Sequence, residues 1–287
     1  MTRSASPVAP TRDDVLPRPT VFRADLLRGQ TALVSGGGTG IGQGIALLLG
    51  ELGARVAVCG RRPEPLQETC ALLESAGAEC SAIPANIRQP EQVDALFERL
   101  DEDFGGIDLL VNNAGGQFPQ HALDFSDKGW RAVVDTNLNG AWTMMQRAAR
   151  RWRDRDRPGS IVNIVAPFVR GMYGVAHTVA ARAGVAYLSR NLAVEWAPLR
   201  IRVNCVLPGG IDTRGLEAYA PEVRRQMADA HPLGRLGRVQ EIAEAVVYLA
   251  AASGEFVTGE VLAVDGGQRI QGELWLAGRP PGWEEGG

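Results

Sequence analysis

The chain is poor in lysine, histidine and cysteine, and this scarcity limits the chemistry that it can perform. Lys128 is the only lysine, so arginine supplies almost all of the positive charge. The three histidines and four cysteines form neither a CxxC pair nor a cluster with zinc-ligand spacing, so we expect no metal site. We expect the cysteines to be buried, reduced thiols in a reducing compartment: Cys59, Cys70, Cys80 and Cys205.

The chain also lacks an excess of charge of one sign and a long apolar run. Its formal net charge is -3 over 287 residues, so the composition does not indicate binding to nucleic acid or to an anionic membrane. No stretch approaches the length of a transmembrane helix. The beginning of the chain is rich in proline, serine and arginine and lacks the order of a signal peptide. We therefore expect a cytoplasmic protein with a small-molecule partner, and without nucleic-acid or membrane partners.

Short apolar runs alternate with longer amphipathic stretches from about Phe22 onwards. Runs such as TALVSG and RVAVCG are continuously apolar, which is typical of strands covered on both faces. The alternation predicts an α/β fold, a Rossmann-type doubly wound parallel sheet in a single domain. We predict a flexible arm over residues 1–22, the Rossmann domain over 23–270 and a tail over 271–287. The polar segment 214–232 interrupts the alternation and favours a substrate lid, with a plain surface excursion as the alternative.

The segment SGGGTGIG, at Ser35–Gly42, follows a predicted strand and opens a predicted helix. Gly36, Gly40 and Gly42 would let the backbone approach a pyrophosphate, and the N–H groups of a helix start favour its negative charge. The pattern therefore predicts a dinucleotide site, and a turn that only requires glycine is the alternative.

The second predicted strand ends in CGRR, without the acidic residue that would bind a free ribose 2′-hydroxyl. Arg61 and Arg62 can instead form charge-assisted hydrogen bonds with a 2′-phosphate. The sequence therefore favours NADP(H) over NAD(H). Two solvated arginines at a helix start are the alternative interpretation.

Together these motifs resemble the short-chain dehydrogenase/reductase family over about Leu26–Gly267. SGGGTGIG resembles the family's TGxxxGxG, Asn112–Gly115 matches its NNAG, and Asp265–Gly267 matches its late DGG. The resemblance implies a nicotinamide cofactor whose contacts are Gly36, Thr39, Gly40, Ile41, Gly42, Arg61, Arg62, Asn86, Ile87, Asn113, Ala114, Gly115, Arg182, Pro208, Gly209, Ile211 and Thr213.

The sequence departs from the family at its active-site residues. Aligned on Ala183–Gly184, the tyrosine and lysine positions hold Thr178 and Arg182, and the serine position holds Ala166 or Val165. A ketone that accepts hydride becomes an alkoxide, which needs an acid near its oxygen. Because a threonine hydroxyl is far less acidic than a phenol, these departures predict that ordinary carbonyl reduction is not the reaction.

Reduction of a C=C bond conjugated to a thioester makes a different demand, because charge develops on the thioester oxygen and needs hydrogen-bond donors. The segments GGQF, KGW, TNL, SIVNI and HTVAARAGV resemble peroxisomal trans-2-enoyl-CoA reductase and, more distantly, 2,4-dienoyl-CoA reductases. The resemblance implies NADPH-dependent reduction of a 2-enoyl or dienoyl thioester, such as an acyl-CoA. A tailoring enzyme, or an NADP(H)-binding protein without reductase activity, is the alternative.

Four residues are candidates for catalysis: Tyr173, His177, Arg182 and Asn137. Tyr173 lies in a glycine-flanked loop and either donates to the thioester oxygen or only lines the pocket. His177 either donates a proton or contacts backbone at a helix start. Arg182 would bind the nicotinamide ribose, and Asn137 would hold a water or support its own helix.

The remaining histidines and the helix faces give further expectations. We expect His121 and His231 to be surface or loop histidines, and Tyr187 to pack at an interface. The fourth and fifth predicted helices carry long apolar faces, which predict a homotetramer through Val133, Leu138, Trp142, Val185 and Leu188.

Overall fold

The computed structural model describes residues 11–218 and 220–270. In chain order its strands are β1 (Thr31–Ser35), β2 (Arg55–Gly60), β3 (Cys80–Pro84), β4 (Leu109–Asn112), β5 (Gly159–Ile164), β6 (Ile201–Pro208), β7 (Ile211–Asp212), β8 (Gly237–Arg238) and β9 (Val261–Val264). Seven of them form one parallel sheet in the order β3-β2-β1-β4-β5-β6-β9, and β7 pairs with β8. This architecture confirms the predicted doubly wound fold in a single domain.

Helices connect the strands and cover both faces of the sheet. They are α1 (Arg12–Val15), α2 (Gly40–Glu51), α3 (Pro63–Ser75), α4 (Pro90–Phe104), α5 (Asp127–Val134), α6 (Ala141–Asp154), α7 (Ala176–Glu195), α8 (Pro221–Asp229) and α9 (Val239–Ala250). The sequence predicts one long helix where α5 and α6 lie. The structure differs in winding the segment between them, Asp135–Gly140, as a π-helix.

The core forms on both sides of the sheet because successive strand residues point to opposite faces. On β1, Val34 packs with α2, α3 and α9, whereas Leu33 packs in the cluster that contains α4 and α6. Every residue of β1 is buried. This two-sided burial is the physical reason why the strands read as continuous apolar runs.

Helices α2 and α9 cross closely beside the first strand, and Gly44 permits the approach. A Cβ on Gly44 would lie 2.1 Å from Val239 Cγ1 and 3.4 Å from Val15 Cγ1. The contact with Val15 shows that α1 also packs at this crossing. The start of α2, which a phosphate site requires, is therefore held by two neighbouring segments.

Residues 11–22 do not match the predicted flexible arm. Arg12 pairs with Glu51 at 2.6 Å, and Leu16 is 1% exposed within the main core cluster. The physical reason is local, because Thr11 caps α1 and the apolar Leu16 follows it directly. This part of the chain belongs to the folded domain.

Two of the predicted segments are only partly described. The predicted tail, 271–287, and residues 1–10 of the predicted arm lie outside the described residues. The segment 214–232 contains a 3₁₀ helix at Arg214–Ala218, followed by α8. Its role as a lid stays a prediction.

The cysteines correct a prediction, because they are not all reduced thiols. Cys70 on α3 and Cys80 on β3 form a disulfide, with their Cα atoms 5.3 Å apart. The pairing arises because α3 packs against β3 and brings the two residues into bonding range. Cys59 and Cys205 are buried free thiols, as expected.

Two of the five apolar residues predicted to form an interface, Val133 and Val185, lie in the core of the protomer, and the tetramer stays a prediction. Val133 is 5% exposed and Val185 is fully buried. Leu138, Trp142 and Leu188 pack partly buried against the core clusters. These faces are covered because α5, the π-helix and α7 pack against one another. The exposed apolar side chains on α7 are instead Tyr187 and Val194.

Candidate active site

The turn between β1 and α2 is shaped to receive a phosphate group. Gly36 and Gly40 have φ angles of +65° and +55°, in the left-handed region that favours glycine. A Cβ on Gly42 would lie 2.2 Å from the carbonyl oxygen of Gly36, so no side chain fits there. Thr39 caps α2 without a side-chain hydrogen bond, which leaves the first-turn N–H groups available to an anion. This cradle fits a dinucleotide pyrophosphate.

Ser35 and Asn113 hold this turn against the end of β4. Ser35 Oγ accepts hydrogen bonds from the backbone N–H groups of Asn113, at 3.1 Å, and Ala114, at 3.0 Å. Asn113 Nδ2 donates to the carbonyl oxygens of Ser35 and Gly36 at 3.1 Å each. Sequence reasoning misses this role of Ser35, and the signal for it is a hydroxyl directly before the glycine loop.

The predicted adenosine contacts surround a cavity of about 150 Å³ beside the glycine loop. Arg61, Arg62, Asn86 and Ile87 all line it. Within the described residues neither arginine side chain forms an ion pair or a hydrogen bond with the protein. Two guanidinium groups without a protein partner therefore line the cavity. A ribose that carries a 2′-phosphate would need such groups.

A second cleft continues from the glycine loop towards the carboxyl end of β6. It is lined by Gly40, Ile41 and Thr213, as the sequence predicts. It is also lined by Asp14 and Val15 of α1, which sequence reasoning misses. No local pattern predicts α1 beside this cleft, because the contact depends on how the chain folds back.

His231 lies in the loop between α8 and β8, as one of the two predicted alternatives has it, but it is buried beside the turn that follows β6 and is not a surface residue. It is 1% exposed. Its Nε2 accepts the backbone N–H of Gly210 at 2.9 Å, and its Nδ1 lies 2.7 Å from the carbonyl oxygen of Met227. A Cβ on Gly209 would lie 2.7 Å from the same Nε2. His231 thus shapes the turn that carries the predicted contacts Pro208, Gly209 and Ile211.

Arg182 carries a buried positive charge beside the NNAG turn. It is 7% exposed, and its Nη2 lies 3.5 Å from the carbonyl oxygen of Ala114. Among the described residues it has no carboxylate partner. Burial lowers the pKa of Arg182 to about 10, so the group is still charged at neutral pH. A Cβ on Gly115 would lie 2.0 Å from Nη2, so glycine makes room for the guanidinium.

Asn137 lies in the π-helix and is 1% exposed. Its Oδ1 accepts the backbone N–H of Gly116, and its Nδ2 donates to the carbonyl oxygen of Gly116, both at 3.0 Å. Both ends of the amide therefore support the loop that follows the NNAG turn. This geometry favours the supporting role of Asn137 over direct contact with substrate.

Tyr173 and His177 are in very different surroundings. Tyr173 is 82% exposed, and its hydroxyl contacts a ring nitrogen of His121, which is also exposed. His177 is fully buried, with the rings of Phe118 and Phe125 at centroid distances of 4.7 and 4.5 Å. The structure does not bring the two candidates together.

His177 contacts the residue that occupies the usual tyrosine position. Its Nδ1 lies 2.7 Å from the backbone nitrogen of Thr178, while Nε2 has no hydrogen bond of good geometry within the described residues. Burial lowers the pKa of His177, against the opposing effects of the Val175 and Phe118 carbonyl groups. A neutral imidazole next to Thr178 is therefore expected at neutral pH.

The family model described as Enoyl-(Acyl carrier protein) reductase matches residues 36–269. The chain belongs to the short-chain dehydrogenase/reductase family. It is therefore an oxidoreductase of a family that uses nicotinamide cofactors, and the resemblance seen in the sequence is confirmed.

Relatives of this short-chain dehydrogenase/reductase differ in the reactions that their names state. The peroxisomal 2,4-dienoyl-CoA reductase [(3E)-enoyl-CoA-producing] of Arabidopsis thaliana is 36% identical over 269 residues, covering 89% of this chain and 88% of the relative. The 3beta-hydroxysteroid dehydrogenase 1 of Eggerthella lenta is 35% identical over 254 residues, covering 86% and 96%. The first name states reduction of a dienoyl-CoA, and the second states dehydrogenation of a hydroxysteroid.

A solved structure from Agrobacterium tumefaciens is similar over the whole fold. It is provisionally described as a 2-deoxy-D-gluconate 3-dehydrogenase with bound NADP, and it is 35% identical with a TM-score of 0.80. The match covers 87% of this chain and all of that chain.

Thiol and metal chemistry have little support in the described part of this short-chain dehydrogenase/reductase. Burial raises the pKa of Cys59 to about 12 and that of Cys205 to about 11, so neither is a thiolate at neutral pH. Over residues 11–218 and 220–270, no group of acidic, histidine or cysteine side chains is placed to hold a metal ion.

Over the same residues, no helix has the length and apolarity needed to cross a bilayer.

Proposed function

We propose that the protein reduces the C=C bond of a 2-enoyl or dienoyl thioester, such as an acyl-CoA, with NADPH. The observation that carries this proposal is the pair Thr178 and Arg182, one helical turn apart on α7. Thr178 offers an alkyl hydroxyl, and Arg182 offers a guanidinium that has no carboxylate partner among the described residues. The site therefore holds positive charge but no phenol at the usual position to protonate an alkoxide. The similarity to a 2,4-dienoyl-CoA reductase supports the same reaction.

The chain's part in this reaction is to bind, orient and stabilise charge. When bound, NADPH would supply a hydride to the β-carbon of a 2-enoyl thioester, or to the δ-carbon of a dienoyl thioester that is reduced to a 3-enoyl product. Negative charge then develops on the thioester oxygen, and a hydrogen-bond donor must lie within reach of it. Tyr173, His177 or a backbone amide of the NNAG turn would donate that bond. The α-carbon is then protonated, which water can do.

Arg182 and Asn137 have separate parts in this proposal. The guanidinium of Arg182 lies beside Ala114, where the nicotinamide ribose would be bound in this family's cleft. Asn137 holds the backbone of Gly116, and so keeps the loop above the site in place. Neither residue needs to gain or lose a proton for these roles.

We further propose that NADPH is preferred over NADH. Arg61 and Arg62 lie beside the adenosine cavity without any partner in the described residues, so their charges are available to a 2′-phosphate. The end of β2 offers no carboxylate for a free 2′-hydroxyl.

The segment 214–232 is proposed to act as a lid over this cleft. Arg214 and Arg224 of this segment line the cleft together with the glycine loop. A segment in that place can cover a bound ligand and exclude water from the reacting atoms. We also propose that the protein is a cytoplasmic homotetramer in which the exposed Tyr187 and Val194 of α7 contribute to an interface.

The experiment follows the absorbance of the reduced nicotinamide with three substrates. The protein is mixed with NADPH and crotonyl-CoA, then with 2,4-hexadienoyl-CoA, and then with a simple ketone such as cyclohexanone. We expect turnover of at least one thioester and none of the ketone. Brisk ketone reduction without thioester turnover would overturn the proposal. NADPH binding without any turnover would instead favour a binding protein or a tailoring enzyme.

A further inference from the structure

The segment 11–18, which we term the cofactor strap, is tied to the two helices that frame the glycine loop. Arg12 donates to both carboxylate oxygens of Glu51 at the end of α2, at 2.6 and 3.0 Å. The backbone of Arg18 exchanges two hydrogen bonds with the side chain of Gln240 on α9, both at 3.1 Å. The strap therefore bridges α2 and α9.

The middle of the cofactor strap is anchored in the core. Leu16 is 1% exposed and belongs to the same apolar cluster as α2, α3 and α9. Val15 packs on the open face of Gly44 in α2. Because the strap is held by an ion pair, by backbone hydrogen bonds and by a buried side chain, it keeps a fixed position relative to the start of α2.

The same segment forms one side of the cleft that begins at the glycine loop. Asp14 and Val15 line this cleft with Gly40 at the helix start. Arg214, the first residue of the proposed lid, and Thr213 directly before it line the cleft as well. The strap and the lid thus border the place where the pyrophosphate would meet the first turn of α2.

The charge of Asp14 does not oppose an anion in this cleft as strongly as a free carboxylate would. Its Oδ2 accepts the backbone N–H and the hydroxyl of Thr11, both at 2.8 Å. The Thr11 backbone bond, then the Thr11 hydroxyl and the nearby Arg214 charge, hold the pKa of Asp14 below its usual value. Asp14 is the third residue of α1 and belongs to the capping box that Thr11 begins, so neighbouring donors compensate its charge.

We propose that the cofactor strap is a wall of the dinucleotide site, where it slows release of the bound nucleotide. By covering the pyrophosphate beside α2, the strap would exclude water and strengthen the hydrogen bonds from the helix N–H groups. The strap lies outside the span of 36–269 that the family model matches. This inference rests on the proposed binding of NADPH.

The test uses two matched leucine variants of the full chain. Leu16 and Leu27 are both 1% exposed in the same core cluster, but only Leu16 lies in the strap. Leu16→Ala and Leu27→Ala should lower the melting temperature by similar amounts. We expect Leu16→Ala to raise the NADPH dissociation rate constant by about 10-fold, measured by stopped-flow displacement, and Leu27→Ala to leave it within about twofold.

A second variant keeps the test decisive if the alanine variants fold poorly. Arg12→Gln removes one anchor at the protein surface and leaves the core intact. We expect a rise of about threefold in the same rate constant for Arg12→Gln and for Glu51→Gln, with no further rise when both are combined.

The outcomes separate this inference from the proposed function. Equal dissociation rate constants in wild type, Leu16→Ala and Arg12→Gln would overturn the strap's role while NADPH binding stands. An equal rise in Leu16→Ala and Leu27→Ala would also overturn it, because a general loss of stability would then explain the effect. Wild-type protein that binds neither NADPH nor NADH would overturn the proposed function and this inference together.

Discussion

Arg182 Nη2 lies 3.5 Å from the carbonyl oxygen of Ala114, at the turn that follows β4. The guanidinium is buried there without a carboxylate partner among the described residues. A buried charge without a partner destabilises a folded protein unless a ligand or a structural carbonyl compensates for it. A single long contact with one carbonyl group is little compensation, so Arg182 is a candidate functional group on physical grounds.

The first prediction concerns the charge of Arg182. Replacing Arg182 by methionine keeps the side-chain volume similar and removes the unpaired charge. We expect Arg182→Met to lower turnover of crotonyl-CoA by roughly 10²-fold while the melting temperature stays equal or rises. Arg190→Met, at an exposed arginine of the same helix, is the control and should change neither property. Retained turnover in Arg182→Met would show that the charge has no part in the reaction.

The second prediction tests the same geometry from the opposite side. A Cβ on Gly115 would lie 2.0 Å from Arg182 Nη2, whereas a Cβ on Gly116 would meet nothing within 4 Å. Gly115→Ala should therefore displace the guanidinium and lower turnover, and Gly116→Ala should be close to wild type. Steady-state kinetics with both variants decides the point. Equal activity of the two variants would contradict the described position of Arg182.

Particular residues show how far the sequence predicts this molecule. The continuous apolar strands and the SGGGTGIG loop predict the fold and the pyrophosphate cradle, because both depend on local patterns. Contacts between distant segments were missed for the opposite reason. His231 reaches Gly210, 21 residues away, and its burial has no local signature. Cys70 and Cys80 are likewise brought together only by the packing of α3 on β3.

The apolar helix faces show a second limit of sequence reasoning. Val185 belongs to an apolar face of α7, and such a face looks the same whether it covers its own core or a second subunit. The structure places Val185 in the protomer's core, and leaves Tyr187 and Val194 exposed on the same helix. Periodicity predicts that a face is covered, but not which element covers it.

The third prediction is that NADPH binds more tightly than NADH. Each charged hydrogen bond from Arg61 or Arg62 to the 2′-phosphate should contribute about 1.5–3 kcal/mol. We expect the double variant Arg61→Gln and Arg62→Gln to lose most of the affinity for NADPH and to leave the affinity for NADH unchanged. Fluorescence titration measures both dissociation constants, with Arg153→Gln on exposed α6 surface as the control. Equal constants for the two nucleotides in wild type would rule the preference out.

The fourth prediction concerns the disulfide between Cys70 and Cys80. The two residues are 10 positions apart, so the cross-link closes a short loop and should add about 2–3 kcal/mol to the free energy of unfolding. Urea unfolding with and without reductant measures the difference. Cys59→Ala, at a free buried thiol, should keep its sensitivity to reductant, whereas Cys70→Ala with Cys80→Ala should lose it. A count of four free thiols in the unreduced, denatured protein would contradict the bond.

The last prediction separates Tyr173 from His177 as the donor to the thioester oxygen. Tyr173 is 82% exposed and its hydroxyl contacts His121, so we expect Tyr173→Phe to keep turnover within about threefold of wild type. His177 is fully buried beside Thr178, and its replacement by phenylalanine keeps an aromatic ring between Phe118 and Phe125. We expect His177→Phe to lower turnover by roughly 10²–10³-fold.

The dependence of stability on pH tests whether His177 is buried in its neutral form. Because burial lowers the pKa of His177 from the ordinary value of 6.5, the unfolded chain takes up a proton before the folded protein does. Wild-type stability should therefore fall as the pH drops below 6.5 towards the folded pKa, and His177→Phe should lack that part of the decrease. Unfolding measured at several pH values tests this.

If Tyr173→Phe instead loses about 10²-fold in turnover and His177→Phe does not, Tyr173 is the donor, and its loop must close over the substrate.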